Sequence, residues 1–208
     1  MRAEITRCAP QAPRNLQRWV ILALVVLGLA LIGKGLYIHA KARLAQALIA
    51  HAWAASRDRG APVRPWPWAD TYPIARLRVP AHDIDLYVLE GDSGRSLAFG
   101  PGHMSRTALP GQAGNAVISA HRDTHFAFLK DLRIGDELEI ELADASTRRY
   151  RIGEMAVVNQ RDMAITEDSR VPMLTLVTCY PFDAVVPGGP LRYVVSAEAV
   201  KIEPSSPI

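Results

Sequence analysis

The sequence predicts an all-β domain, a closed barrel or sandwich of seven or eight short strands, preceded by one apolar helix near the N-terminus. Two observations carry this prediction. From Ile74 onward, short runs of strand-forming residues alternate with turns that contain glycine or proline. Before that, Trp19 to Gly33 reads "WVILALVVLGLALIG", an uninterrupted apolar run. At 208 residues, about half of them apolar, the chain has room for one domain with a sizeable core and a small appendage.

Charge separates the two parts. Residues 1–43 carry seven Lys/Arg against one acid, whereas residues 44–208 carry 17 against 20. The basic character belongs to the N-terminus, and the later part is mildly acidic. A nucleic-acid binder shows the reverse, a basic stripe on its folded domain, so no nucleic-acid partner is expected.

The apolar run follows Arg2, Arg7, Arg14 and Arg18 and resumes after Lys34 as "GLYIH". Its uninterrupted part is shorter than the roughly 20 residues that span a bilayer, but a lysine near the end of a span snorkels to the headgroups. Trp19 and Tyr37 stand where interfacial aromatics belong. A cleaved signal peptide is the competing reading, since "AWA" at 52–54 has the small-x-small form. That site lies farther past the apolar core than a cleavable signal allows. The expected organisation is a cytoplasmic tail (1–18), a transmembrane signal-anchor helix (19–38), a helical stalk with a Pro/Trp-rich linker (39–73) and the β domain (74–208). The N-terminus is placed inside because the only long domain follows the span, although Lys34, Lys41 and Arg43 also follow it. Cys8 and Cys179 then lie on opposite sides of the membrane and cannot pair. The exported thiol is either buried and inert or reactive.

Residues 40–60 have helical spacing, with Leu44, Ala47, Leu48 and His51 near one face and Gly60 at the end. Residues 61–73, "APVRPWPWADTYP", hold four prolines and read as an ordered linker or a strap across the domain, with Trp66 and Trp68 expected on the core, the alternative being the membrane interface. "ARLRVP" and "IDLYVLE" read as strands flanking a tight turn at "AHD", and "GNAVISAH" as a third strand. "FAFLKDLRIG" begins as a short helical turn, and "ELEIEL" alternates with period 2 as a half-exposed strand. "RRYRIGEMAVVN" is a further strand or pair, and "PMLTLVTC" and "LRYVVSAEAV" complete the set. The last residues, "EPSSPI", are expected to fray.

Few side chains accompany Cys179 in a way that suggests chemistry. Among the histidines, His121 ends a strand-like run just as Cys179 ends "LTLVTC", and Arg192 opens "RYVVSAEAV". Three polar groups at three strand tips converge on one end of a barrel. A thiol of ordinary pKa, about 8.5, is only a few per cent thiolate at neutral pH. An imidazole takes its proton and later protonates a leaving amine. A guanidinium stays charged and holds an oxyanion or a substrate carbonyl. Together the three are complete for acyl transfer. Singly each has a plainer reading: a buried small hydrophobe, a solvated loop residue and a surface charge.

"TLVTCYPF" (175–182) followed by "RYVV" resembles the active-site signature of sortases, the membrane-anchored cysteine transpeptidases. "ALPGQAGNAVISAHRDTHF" (108–126) resembles the segment that leads to their catalytic histidine, where Gly-His-Arg is commoner than Ala-His-Arg. The nearest likeness is to the class D-like, Tyr-Pro-Phe-bearing group, including proteobacterial members that carry a stretch like "PWPWADTYPIARLRVP". The resemblance covers roughly residues 64–202. It implies a closed eight-stranded β-barrel with short helices, with Cys179 as nucleophile, His121 as general acid/base and Arg192 as the oxyanion- or substrate-orienting residue. Ala120, Thr178 and Tyr180 would shape the substrate pocket. The implied reaction cleaves a C-terminal sorting motif of an exported protein through a thioester and transfers the acyl group to an amine acceptor in the cell envelope. The loop 159–172 matches one that often lines the substrate groove. Some sortases bind calcium near such loops, but Asp162, Glu167 and Asp168 lack a ligand spacing, so neither metal nor other cofactor is expected. His125 stands where relatives commonly have an aromatic; His121, which ends the strand, is the expected base.

An L,D-transpeptidase also uses Cys, His and Arg, but packs them within a few residues, unlike the 13-residue step from Cys179 to Arg192. "HRD" at 121–123 matches part of a kinase catalytic loop, yet Phe128 stands where its asparagine belongs and no Gly-rich nucleotide loop exists. The remaining alternative is a membrane-tethered, non-catalytic binding domain on a sortase-like barrel.

Overall fold

The computed structural model describes residues 14–161, 169–186 and 188–200. The readings that concern Arg2, Arg7 and Cys8, the acids Asp162, Glu167 and Asp168, and the final "EPSSPI" lie outside these residues.

A helix, α1, runs from Arg14 to Arg59, and the chain divides into two compact units between Leu44 and Ala45. In the first unit, every large apolar side chain from Trp19 to Ile38 is exposed. Among the described residues this is the one helix long and apolar enough to cross a membrane. In the second unit, the helix buries Ala45, Ile49, Ala52, Trp53 and Ser56, whereas Leu44 and His51 are exposed. The buried face is thus offset by about one residue from the one read in the sequence. Both stripes satisfy i, i+3, i+4 spacing, and the large Trp53 indole, packed 6.3 Å from the Tyr87 ring, selects between them. At the end of the helix, Arg57 pairs with Glu141 of the barrel. The strap that follows is tied down by Val63 N–H donating to Ser56 Oγ (2.9 Å) and Thr71 Oγ1 donating to the Glu90 carbonyl (2.6 Å). Trp66 packs edge-on against Phe99, but Trp68 is 82% exposed and does not join the core.

The β domain is a closed barrel. Its strands are β1 (Pro73–Val79), β2 (Ile84–Glu90), β3 (Gly102–His103), β4 (Gly114–Ser119), β5 (Glu137–Leu142), β6 (Thr147–Asn159), β7 (Pro172–Cys179) and β8 (Leu191–Ala199). They close in the order β1-β2-β3-β4-β7-β8-β6-β5. All pairs are antiparallel except β2 with β3 and β4 with β7. Alternation on β1 shows how the barrel is filled: Ala75, Leu77 and Val79 point inward and are fully buried, while Arg76 and Arg78 face out toward Asp85 and Glu141. The interior is packed by these residues with Ile118, Leu138, Ile140, Tyr150, Leu174, Leu176 and Val195.

Two elements have no counterpart in the sequence reading: the two-residue strand β3 and a short helix, α2 (Gly94–Leu97). Gly102 makes β3 possible, because a Cβ there would lie 2.3 Å from the Gly91 carbonyl oxygen. β6 is a single strand of 13 residues, with a register shift between Ile152 and Glu154.

Candidate active site

The parallel pair β4–β7 and the antiparallel pair β7–β8 fix the site. β7 ends at Cys179, whose register partner on β8 is Arg192. On the other side, Ser119 pairs with Val177, and Ala120 continues the pairing by donating its N–H to the Val177 carbonyl (3.2 Å). The Thr178 hydroxyl, buried, donates to the Ala120 carbonyl at 2.7 Å. His121 and Cys179 are the residues that follow this bonded pair on their two strands. Three segments distant in sequence thereby meet at one end of the barrel.

Alternation determines which face they share. Leu174, Leu176 and Thr178 point inward, so Thr175, Val177 and Cys179 lie on the outer face of β7. The same count places Val194 and Arg192 on the outer face of β8, and Val117 on that of β4 with His121 in line beyond it. Val117, Val177 and Val194 form a second buried apolar cluster, joined by Met104 and Val158. This outer cluster forms an apolar floor leading up to the half-buried, free thiol of Cys179. Sequence reasoning missed it, although the period-2 signal was available in "TLVTC".

Ala120 and Thr178 stand on the opposite, inward face. Rather than lining a pocket with their side chains, they bond β4 to β7 beneath His121 and Cys179. Tyr180 donates its N–H to the Leu191 carbonyl (3.0 Å), and its ring stacks on Tyr193 (6.1 Å) and meets Phe182 edge-on (6.2 Å). Phe182 and Tyr193 pack against the inner core, so this aromatic group stands on the inward side of the strand ends, and burial pushes the Tyr193 hydroxyl's pKa up. The Tyr180–Pro181 peptide is cis.

Arg192 is held in place by neutral acceptors. Its guanidinium donates to the Gly189 carbonyl (2.7 Å), the Leu191 carbonyl (2.8 Å) and Gln160 Oε1 (2.6 Å). No carboxylate among the described residues pairs with it, so its positive charge is fixed in direction and left uncompensated.

Arg122 is a second residue that sequence reasoning passed over. It is buried, donating to the Pro181 and Ala184 carbonyls at 2.6 Å each and to Asp123 at 3.3 Å. It thus ties the turn carrying His121 to the loop that follows Cys179. A buried guanidinium flanking the histidine signals such a clamp, since its fork of donors needs carbonyl partners. In that same turn the His121 carbonyl accepts from Phe126 N–H (3.0 Å) and Thr124 N–H (3.4 Å). His125 follows, half-buried, and both burial and the neighbouring His121 lower its pKa from the ordinary value. His103 belongs elsewhere: it is buried on β3, between Glu90 Oε2 (3.2 Å) and the Ala108 carbonyl (2.9 Å). No cluster of metal-ligating side chains occurs among the described residues.

Against known proteins, the sortase-domain family model matches residues 77–200, which includes every strand from β2 to β8. The chain belongs to the sortase family. Sortase D of Bacillus subtilis (strain 168) is 33% identical over 125 residues, 60% of this chain and 62% of that protein. The chain thus spans less than two thirds of that relative's length. Among solved structures, sortase A from Corynebacterium diphtheriae superposes with a TM-score of 0.59 at 29% identity, over 67% of this chain and 66% of that one. A Clostridium perfringens sortase D5 transpeptidase gives 0.55 at 27% identity, over 62% and 80%. The fold is therefore the closed eight-stranded sortase barrel that the resemblance implied, and the class D likeness is consistent with two of these three relatives.

Proposed function

We propose that the protein is a membrane-tethered cysteine transpeptidase in which Cys179, His121 and Arg192 carry out acyl transfer. The observation that carries this reading is the strand register, which sets Cys179 opposite Arg192 and one bonded pair above Ala120–Thr178, with His121 next in line.

The Cys179 thiolate attacks the carbonyl carbon of a peptide bond within a C-terminal sorting motif of an exported protein. Arg192, whose charge is not neutralised by its own partners, stabilises the oxyanion that forms. His121 protonates the departing amine, leaving a thioester on Cys179, and an amine acceptor of the cell envelope then resolves it. The buried outer cluster of Val117, Val177 and Val194 supports the strand ends that present the thiol and the imidazole. Ala120 and Thr178 act from beneath, by holding the two strands that present the reactive groups. Tyr180 borders the site through its aromatic neighbours. The apolar stretch at 19–38 anchors the protein, with residues 1–18 cytoplasmic, 39–73 as stalk and strap, and the barrel outside.

The test is turnover of a library of sorting-type peptides by the full chain in detergent. Cys179→Ala and His121→Ala are expected to abolish cleavage, and Arg192→Ala to reduce it by about 100-fold or more, as for loss of an oxyanion donor. All three should keep the wild-type melting profile. Cleavage by Cys179→Ala would overturn the reading.

A further inference from the structure

Arg192 is aimed by three acceptors, and two of them are backbone carbonyls, which any sequence supplies. The third is a side chain, Gln160, whose Oε1 accepts from Nη2 at 2.6 Å. β6 ends at Asn159, the register partner of Leu191, but the Gln160 N–H donates to the Pro190 carbonyl (2.7 Å) and carries the β6–β8 pairing one step further. Val158 stands opposite Arg192 in that pairing and packs on the outer cluster. Alternation therefore puts Gln160, two residues on, on the outer face that also bears Arg192 and Cys179. It reaches the guanidinium as a diagonal cross-strand neighbour.

A guanidinium has five N–H donors in a planar fork. Nη1 donates to the Gly189 and Leu191 carbonyls, and Nη2 gives one hydrogen to Gln160. Nε has no acceptor among the described residues, and Nη2 keeps a second hydrogen. Two donors on adjacent nitrogens are thus left to meet an anionic oxygen of the substrate.

The chemical identity of residue 160 then matters. Other arginines of this barrel are paired with carboxylates: Arg76 with Asp85, Arg78 with Glu141 and Arg151 with Glu137. At Arg192 the side-chain partner is an amide. A glutamate has the same length and would bond Nη2 more strongly, because charge-assisted hydrogen bonds are the stronger ones. As a brace alone it would serve at least as well as glutamine. It would also offset the guanidinium's charge, and it is that charge which stabilises an oxyanion.

Resting on the acyl-transfer reading above, we propose that Gln160 is a positioning residue for Arg192, and that the neutrality of its side chain, more than its hydrogen bond, sets the rate of acylation. Gln160 acts through Arg192: it fixes the guanidinium's direction and leaves the full positive charge for the oxyanion.

The experiment needs no knowledge of the sorting motif. The full chain in detergent is acylated with p-nitrophenyl acetate. The Cys179 thiolate attacks the ester carbonyl, the C–S bond forms, the C–O bond breaks and p-nitrophenolate leaves. Parallel samples are alkylated with iodoacetamide, where sulfur displaces iodide and no oxyanion arises. Peptide mapping follows both modifications at Cys179 separately from Cys8. The ratio of acylation to alkylation rate reports oxyanion stabilisation and cancels changes in thiolate population. Gln160→Glu is expected to lower this ratio by about tenfold, less than the roughly 100-fold for outright loss of an oxyanion donor. Its melting temperature is expected to equal or exceed that of the wild type. Gln160→Met, of similar length without the amide acceptor, is expected to lower the ratio only about threefold, as for one neutral hydrogen bond. Arg192→Ala is expected to lower it furthest, and adding Gln160→Glu to that variant to change it no further. A ratio for Gln160→Glu at or above that of Gln160→Met, with Arg192→Ala slowed, overturns this proposal alone. An Arg192→Ala variant at the wild-type ratio overturns the role of Arg192 and this proposal with it. Failure of Cys179 to acylate at all overturns the acyl-transfer reading as a whole.

Discussion

Arg122 ties the turn carrying His121 to the loop that follows Cys179. Its two 2.6 Å bonds to Pro181 and Ala184 are charge-assisted and buried, and among the described residues they alone join the His121 turn to the loop after the thiol through a side chain. Arg122→Met is expected to cost about 2 kcal/mol of stability, in the range for lost hydrogen bonds to charged groups, and to slow acylation more than binding. Thermal melts and a KM-against-kcat comparison check this. His125 gives a second prediction. Its folded-state pKa lies below the ordinary 6.5, so the unfolded chain binds its proton more readily. Stability from this group is therefore full above 6.5 and falls as pH drops toward the folded value. His121, Lys130 and Asp131 are the charged or titratable groups around it. His125→Phe is expected to flatten the acid side of a plot of melting temperature against pH, and an unchanged slope would show that other groups set it.

At the scale of the strand, the legibility of the sequence follows the period of its side chains. β1, β5, β7 and β8 were readable because alternation or a β-branched run was long enough to register, as in "ELEIEL" and "TLVTC". β3 was not, because two residues carry no period; its place depends on Gly102 meeting the Gly91 carbonyl, a contact across the fold. β4 stops at Ser119, short of His121, yet the bond from Ala120 to Val177 prolongs the same alignment, so the convergence inferred from strand tips is found by another route. What periodicity left ambiguous was the helix face: Leu44 and Ala45 both begin acceptable stripes, and only packing against Tyr87 decides. The Thr178 hydroxyl tests the strand-level account. Thr178→Val preserves shape but leaves the buried Ala120 carbonyl without that donor. It is expected to cost about 1–2 kcal/mol, and to slow thioester formation because the two strands carrying His121 and Cys179 lose their cross-link. Denaturant melts and single-turnover acylation measure the two effects.

For the whole molecule, division of labour follows from where apolar surface is spent. Residues Trp19 to Ile38 expose theirs on every side, as a span does in lipid, whereas the barrel buries its own in one core with a second, smaller cluster beneath the thiol. The barrel also has two differently furnished ends. A cavity of about 420 Å³ beside His125 lies toward the end bearing Cys179. A second, of about 520 Å³, is lined by Tyr72, Leu142 and Arg148 at the starts of β1 and β6 and the end of β5. The proposed chemistry belongs to the first end, where β4, β7 and β8 bring one thiol, one imidazole and one guanidinium to a common face. The central claim is that this thiol forms an acyl-enzyme. The most direct measurement is intact mass spectrometry of the full chain in detergent after incubation with sorting-type peptides and rapid acid quench, followed by peptide mapping. The account predicts a mass increase equal to the peptide's N-terminal fragment, located on Cys179, removed by hydroxylamine and absent from Cys179→Ala. A folded protein that cleaves such peptides with no adduct on Cys179, or carries the adduct elsewhere, would contradict it.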